Sequence, residues 1–142
     1  MPNTNYIDEN FFKTLNEDIK LSPNQYGEWD MVFSDYDIVN VSGLESLSNA
    51  IVILILTRYN ELKHNLLYND DFGCRVHQIV KDNISNLNTY KIEKYIEESI
   101  KRMRRVKRIN YIRVKPKQIG YDVVLSVTSI TDEDLNLKME LK

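Results

Sequence analysis

Residues 41–76, VSGLESLSNAIVILILTRYNELKHNLLYNDDFGCRV, hold the longest apolar run of the chain and its most specific local chemistry. Ser42 stands three residues before Glu45, the spacing at which a hydroxyl accepts from an early helical N–H while the carboxylate reaches back to the cap, so a helix is expected to start here. Leu44, Leu47, Ile51, Leu54 and Ile55 recur at the spacing of a buried helical face. The β-branched density of residues 50–56 would also suit a central strand, and the capping pattern decides for helix. That run is far shorter than the roughly 20 apolar residues of a membrane span. After Thr57 the pattern breaks, and Asn60, which tolerates positive φ, is the expected left-handed stop. A polar loop over 59–71 then leads to a tight turn at Gly73. In it Phe72 should point inward, while Asp70 and Asp71 face water or cap a short helix over 75–83 that buries Val76, Ile79 and Val80.

The rest of the chain is read outward from this core. Residues 1–25 are expected to form an arm docked on a neighbour or a short first helix, with Ile7, Phe11, Phe12, Leu15 and Ile19 on its apolar side and Pro23 near its end. Short alternations at 29–33 and 36–41, separated by Ser34-Asp35, suggest one or two strands, with Trp29 a core or rim aromatic. A second long helix is expected over 89–103, capped by Thr89, with Ile92, Tyr95, Ile96, Ser99, Ile100 and Met103 inward and Glu93, Glu97 and Glu98 outward. Residues 107–115, 121–130 and 135–141 read as strands. In the last, Leu135, Leu137, Met139 and Leu141 share one face and Asn136, Lys138, Glu140 and Lys142 the other. The expected fold is α+β: one small domain over 26–142, its two main helices packed on an antiparallel C-terminal meander.

A chain of 142 residues, 42% apolar, fits a single core. The net charge of -2 argues against general polyanion binding. That average hides an asymmetry. Asp8, Glu9, Glu17, Asp18, Glu28, Asp30, Asp35 and Asp37 face only Lys13 and Lys20 in the first 40 residues, whereas residues 101–117 carry only basic charges. The single cysteine, Cys74, excludes an intrachain disulfide and fits a reducing compartment. The polar, acidic start MPNTNYIDEN is unlike a secretion signal, so assembly in a cytoplasm is expected.

Cys74 and His77 have a C-x-x-H spacing, with His64 and Asp71 within reach in sequence, but one cysteine and two histidines fall short of a structural zinc set, and neither metal nor cofactor is expected. A Cys/His nucleophile lacks an evident third, orienting group. Glycoside hydrolysis needs two carboxyls across a cleft, one of them in apolar surroundings. Glu61, Asp70 and Asp71 instead lie in a polar loop, where turn and capping roles are simpler, so no enzymatic activity is expected. The basic residues Lys101, Arg102, Arg104, Arg105, Lys107 and Arg108, extended by Arg113, Lys115 and Lys117, form the strongest electrostatic feature. Part of that run complements a helix C-terminus. Without a base-stacking array or groove-reading motif it favours an acidic protein partner over nucleic acid.

Asp37-Ile38-Val39, Ser42-Gly43, the apolar helix, Leu56-Thr57, Glu61 and Asp71-Phe72-Gly73-Cys74, in this order, resemble the small baseplate wedge proteins of contractile phage tails. That family includes the TssE component of type VI secretion baseplates and relatives in phage-tail-like bacteriocins, and some relatives have carried a lysozyme label. Its pattern joins an aspartate-bearing strand, a Ser/Thr-Gly helix start, a Leu-Leu-Thr-x-x-Gly-Glu ending and a Pro-Asp-Tyr/Phe-Gly turn. Here Asn60 stands for the glycine and Asp70 for the proline, and the resemblance runs from about residue 30 to the end. It implies a multi-copy structural subunit of a virion or tail-like particle. Such a subunit joins other wedge proteins and the tail sheath, without nucleic acid or membrane, and templates sheath assembly. The family's Glu-Pro-Arg signature, implicated in wedge cohesion, aligns with Met103, Arg104 and Arg105, so only the arginine remains. The resemblance implies partner contacts at Arg105 and its neighbours Lys101, Arg102, Arg104 and Arg108. It also implies acceptance of a sheath arm at the strand bearing Leu135, Leu137, Met139 and Leu141, by β-augmentation. A regulatory adaptor of the same fold, binding one soluble protein through the basic face, is the alternative.

Overall fold

A computed structural model describes residues 17–62, 64 and 72–142. Helix α1 spans Leu44–Leu56 and is entered through Gly43, whose φ of 63° suits the missing Cβ. The Ser42–Glu45 capping box does not form: no side chain caps this helix, because Ser42 is still committed to a strand ladder opposite Glu17. Burial holds the helix instead. Leu47, Ile51, Val52 and Ile55 are fully buried, and at about 1.5–3 kcal/mol for each such side chain this outweighs the roughly 1 kcal/mol of an absent cap. Thr57 ends the helix in extended conformation. Asn60 does adopt positive φ, at 63°, but inside the following turn rather than as the helix stop.

Among the described residues ahead of α1 there are six short strands: β1 (Glu17–Ile19) and β2 (Leu21–Pro23), where an arm or short helix was expected, and β3 (Trp29–Met31), β4 (Phe33–Ser34), β5 (Asp37–Ile38) and β6 (Asn40–Ser42), where one or two strands were expected. They pair antiparallel as β1–β6, β2–β3 and β4–β5. Local turn chemistry cuts them short. The Asn24 side chain accepts from the N–H groups of Tyr26 and Glu28, at 2.9 and 3.1 Å, and Asp35 and Tyr36 both take positive φ, the conformation of a two-residue hairpin turn. Ile19, expected on a helix, lies on β1, and Pro23 on β2; of the arm or helix expected over 1–25, residues 1–16 with Ile7, Phe11, Phe12 and Leu15 are outside the described residues. The buried Asn49 of α1 donates to the Ile19 carbonyl and fastens β1 to the helix.

After a 3-10 turn over Arg75–Gln78 that buries Val76, helix α2 runs Asn86–Lys101. Its cap is Ser85, whose Oγ accepts from the Asn88 N–H at 3.1 Å; Thr89, the expected cap, sits one turn in and donates to the Ser85 carbonyl. Strands β7 (Val106–Pro116), β8 (Tyr121–Ser129) and β9 (Asp134–Leu141) form the antiparallel meander in the order β7-β8-β9. Both helices pack on its inner face. Ile92, Ile96 and Ile100 of α2 meet Tyr121, Val123, Leu125 and Val127 of β8 and Leu137, Met139 and Leu141 of β9 in one core. At the β7–β8 turn Gly120 has φ 83°, and a Cβ there would overlap the Leu141 carbonyl. The class is the expected α+β.

Candidate protein-docking surfaces

The C-terminal end of α2 gathers the predicted basic residues, and the structure ties several of them internally. Lys101 Nζ lies 2.9 Å from Glu97, which also pairs with Lys94. These two lysines, Lys101 first, hold the Glu97 carboxyl below its usual range. Arg102 donates to the Gly73 carbonyl at 3.1 Å, and its guanidinium lies 5.4 Å from the centroid of the Tyr59 ring, a contact sequence reasoning missed. Arg108 donates to Asn110 at 3.1 Å, and Arg104 is exposed. Arg105 is half-buried. Desolvation pushes its pKa down, and the carboxylate of Asp18 on β1 acts in the opposite sense. A guanidinium partly withdrawn from water gains more from a carboxylate partner than an exposed one does.

The two edges of the meander differ. Glu93, expected on the outer face of α2, instead reaches back to the sheet, where its Oε1 accepts from the Val114 N–H of β7 at 3.2 Å. Its place beside Ile92 at the border of the apolar stripe was the only sequence cue. Since the Val114 N–H points away from β8, its partner Val123 directs its own backbone groups toward β9, and alternation along the ladder turns those of Asn136 and Lys138 outward. Among the described residues no strand pairs with the outer edge of β9. Leu137, Met139 and Leu141, assigned to partner binding, are buried in the core and Leu135 packs against it, so what β9 presents outward is backbone rather than those side chains.

The structural-turn residues lie against the same C-terminal end of α2, where Ser99 and Arg102 both donate to the Gly73 carbonyl. Gly73 has φ 110°, and a Cβ there would lie 2.5 Å from the Arg58 carbonyl oxygen. Phe72 is half-buried, and Asp71 lies outside the described residues, as does Asp70. Glu61 is exposed and accepts from the Arg58 N–H at 3.1 Å, a turn role. Cys74 is fully buried beside the Tyr95 carbonyl, with its thiol pKa raised by burial, while His77 Nε2–H donates to the Ile55 carbonyl at 3.0 Å. The C-x-x-H pair thus addresses two separate carbonyls. Among the described residues no group of three His, Cys, Asp or Glu side chains could hold a metal ion. Among the same residues no helix is long and apolar enough to cross a membrane.

No protein-family profile matches the chain, and no curated protein matches it by sequence. A solved structure from Geobacter sulfurreducens, provisionally named a tail lysozyme, is similar to it with a TM-score of 0.57 at 20% identity, covering 79% of this chain and 95% of that one. At that identity the likeness shows a shared fold.

Proposed function

We propose that this protein is a non-enzymatic baseplate wedge subunit of a contractile tail or tail-like particle, linking baseplate to sheath and initiating sheath assembly. The fold shared with a protein whose name assigns it to a tail carries the reading. Two further features support it. Glu93 and α2 cover the β7 edge while the β9 edge remains without a strand partner among the described residues, which suits acceptance of an extended arm. Half-buried Arg105 lies at the opposite end of the β8–β9 ladder from the β7–β8 turn, where it can engage a carboxylate of a second wedge protein. The test is co-expression and pull-down with the neighbouring wedge proteins. Arg105→Glu should abolish recovery in the complex while leaving the circular dichroism spectrum unchanged; normal recovery of a folded variant would sink the role of this residue.

A second reading comes from the same relative's name, which also describes a lysozyme. It expects the pure protein to turn over cell-wall glycan and Glu61→Gln to reduce that turnover. The exposed, turn-bound position of Glu61 argues against it, because a general acid needs its pKa raised by apolar surroundings.

A further inference from the structure

A cleft of about 300 Å³ opens beside the α1–α2 connection, lined by Arg58, Tyr59, Arg75, His77, Lys81 and Lys142 among others. Its described walls carry four cationic side chains, Arg58, Arg75, Lys81 and Lys142, and no acidic side chain. Among the described residues two of them have an ion pair, both at long range: Glu98 lies 3.8 Å from Arg75 and Glu140 lies 3.8 Å from Lys142. Among the described residues the Arg58 guanidinium and the Lys81 ammonium form no ion pair, although Glu61 accepts from the Arg58 backbone N–H. Four like charges around one concavity repel one another, and low-dielectric walls focus their field on whatever enters.

The cleft is held in shape by backbone. Arg58 and Cys74 form a parallel bridge, in which Cys74 N–H donates to the Thr57 carbonyl at 2.9 Å and Tyr59 N–H to the Cys74 carbonyl at 3.2 Å. Gly73 permits that approach, as its absent Cβ would strike Arg58. Tyr59 is fixed by the Arg75 guanidinium, 4.5 Å from its ring centroid. Val80 and Tyr59 add apolar wall, so the site offers both cations and a surface for methylenes.

We infer that this cleft is a binding site for a carboxylate-bearing peptide segment of a partner protein, with Arg58 and Lys81 supplying the unneutralised charge and Tyr59 and Val80 the apolar wall. The inference is independent of the tail reading and holds equally for an adaptor. A peptide is favoured over nucleic acid on two grounds. The cavity admits a side chain or two rather than a backbone track, and Tyr59 is already covered by cations instead of being free to stack a base.

The test is fluorescence anisotropy of the intact protein with a fluorescein-labelled peptide of sequence Glu-Glu-Leu-Glu-Glu, competed by inorganic phosphate and by a uridine oligonucleotide. The peptide should bind, and the double variant R58E/K81E should weaken it at least tenfold. Lys91→Glu, which makes the same type of charge change on the exposed face of α2, should alter binding less than twofold. If the double variant loses its native circular dichroism spectrum, Lys81→Glu alone, at an exposed position, carries the comparison. Absence of peptide binding, equal weakening by Lys91→Glu, or displacement by the oligonucleotide or phosphate at concentrations below those of unlabelled peptide would each overturn the assignment.

Discussion

Replacing Gly73 by alanine should be among the most damaging single-methyl changes in this chain, and its cost can be divided by comparison with Gly43. At Gly73 the added Cβ would meet the Arg58 carbonyl oxygen at 2.5 Å, the Arg58 carbonyl carbon at 2.7 Å and the Thr57 oxygen at 2.9 Å, all backbone atoms with little freedom to retreat. The φ of 110° adds backbone strain. Strain of this kind costs about 1–3 kcal/mol, and overpacking against a fixed wall about 1–3 kcal/mol more. The sum, about 2–6 kcal/mol, corresponds to a fall in Tm of roughly 3 °C per kcal/mol for a domain of this size. Gly43 also has positive φ, 63°, but nothing lies within 4 Å of a Cβ there, so Gly43→Ala should show the strain alone. Urea titrations followed by circular dichroism measure both. Gly73→Ala should lose at least about 1 kcal/mol more than Gly43→Ala; equal losses would refute the close approach of Gly73 to Arg58 and with it the backbone that shapes the cleft.

The Tyr121 hydroxyl is buried without a hydrogen-bond partner among the described residues, so Tyr121→Phe should leave stability unchanged or raise it by up to about 1 kcal/mol, and a clear loss in a urea titration would show that the hydroxyl is paired. Glu97, Asp132 and Glu140 have carboxyl pKa values lowered by Lys101, Lys107 and Lys117 respectively. Because the folded values are depressed, this stabilisation is complete above the unfolded carboxylate range near pH 4 and disappears as pH falls through the folded values. The urea midpoint should therefore drop on acidification below about pH 4, less steeply at high salt; a midpoint unchanged there would refute these pairings. The Cys74 thiol, buried and with raised pKa, should react with an aromatic disulfide reagent only as fast as the protein opens, and rapid stoichiometric reaction under native conditions would contradict its burial.

The elements that announced themselves in the sequence are those whose burial follows a simple period. The strict alternation from Leu135 to Leu141 and the three-to-four stripe of Ile92, Ile96 and Ile100 read directly as an edge strand and a packed helix, and both are present. Capping was harder to read. Ser42 carried the right spacing to Glu45, but a strand ladder holds its backbone, whereas Ser85, four residues upstream of Thr89, had no apolar run behind it to mark it as a start. The six short strands described ahead of α1 are too short to show a period, and their ends depend on side-chain turns at Asn24 and on positive φ at Asp35 and Tyr36. Of the candidate site, the basic charges were legible as a run. Their pairing was not, since the partners of Arg102 and Arg75 come from the distant Gly73 and Tyr59. The cleft draws on residues from Arg58 to Lys142, a juxtaposition that only the fold makes.

The proposed templating role requires the outer edge of β9 to receive a sheath arm. The outward backbone groups assigned to Asn136 and Lys138 allow a direct test, because proline on an edge strand removes an outward N–H without removing a ladder hydrogen bond. Co-purification with sheath and wedge proteins, followed by electron microscopy, should show sheath rings or tubes starting from complexes that contain the unaltered chain. With Asn136→Pro, wedge proteins should still be recovered with the chain but sheath should not start from them. Sheath starting equally well from the proline variant, or assembling without regard to this protein, would contradict the templating role.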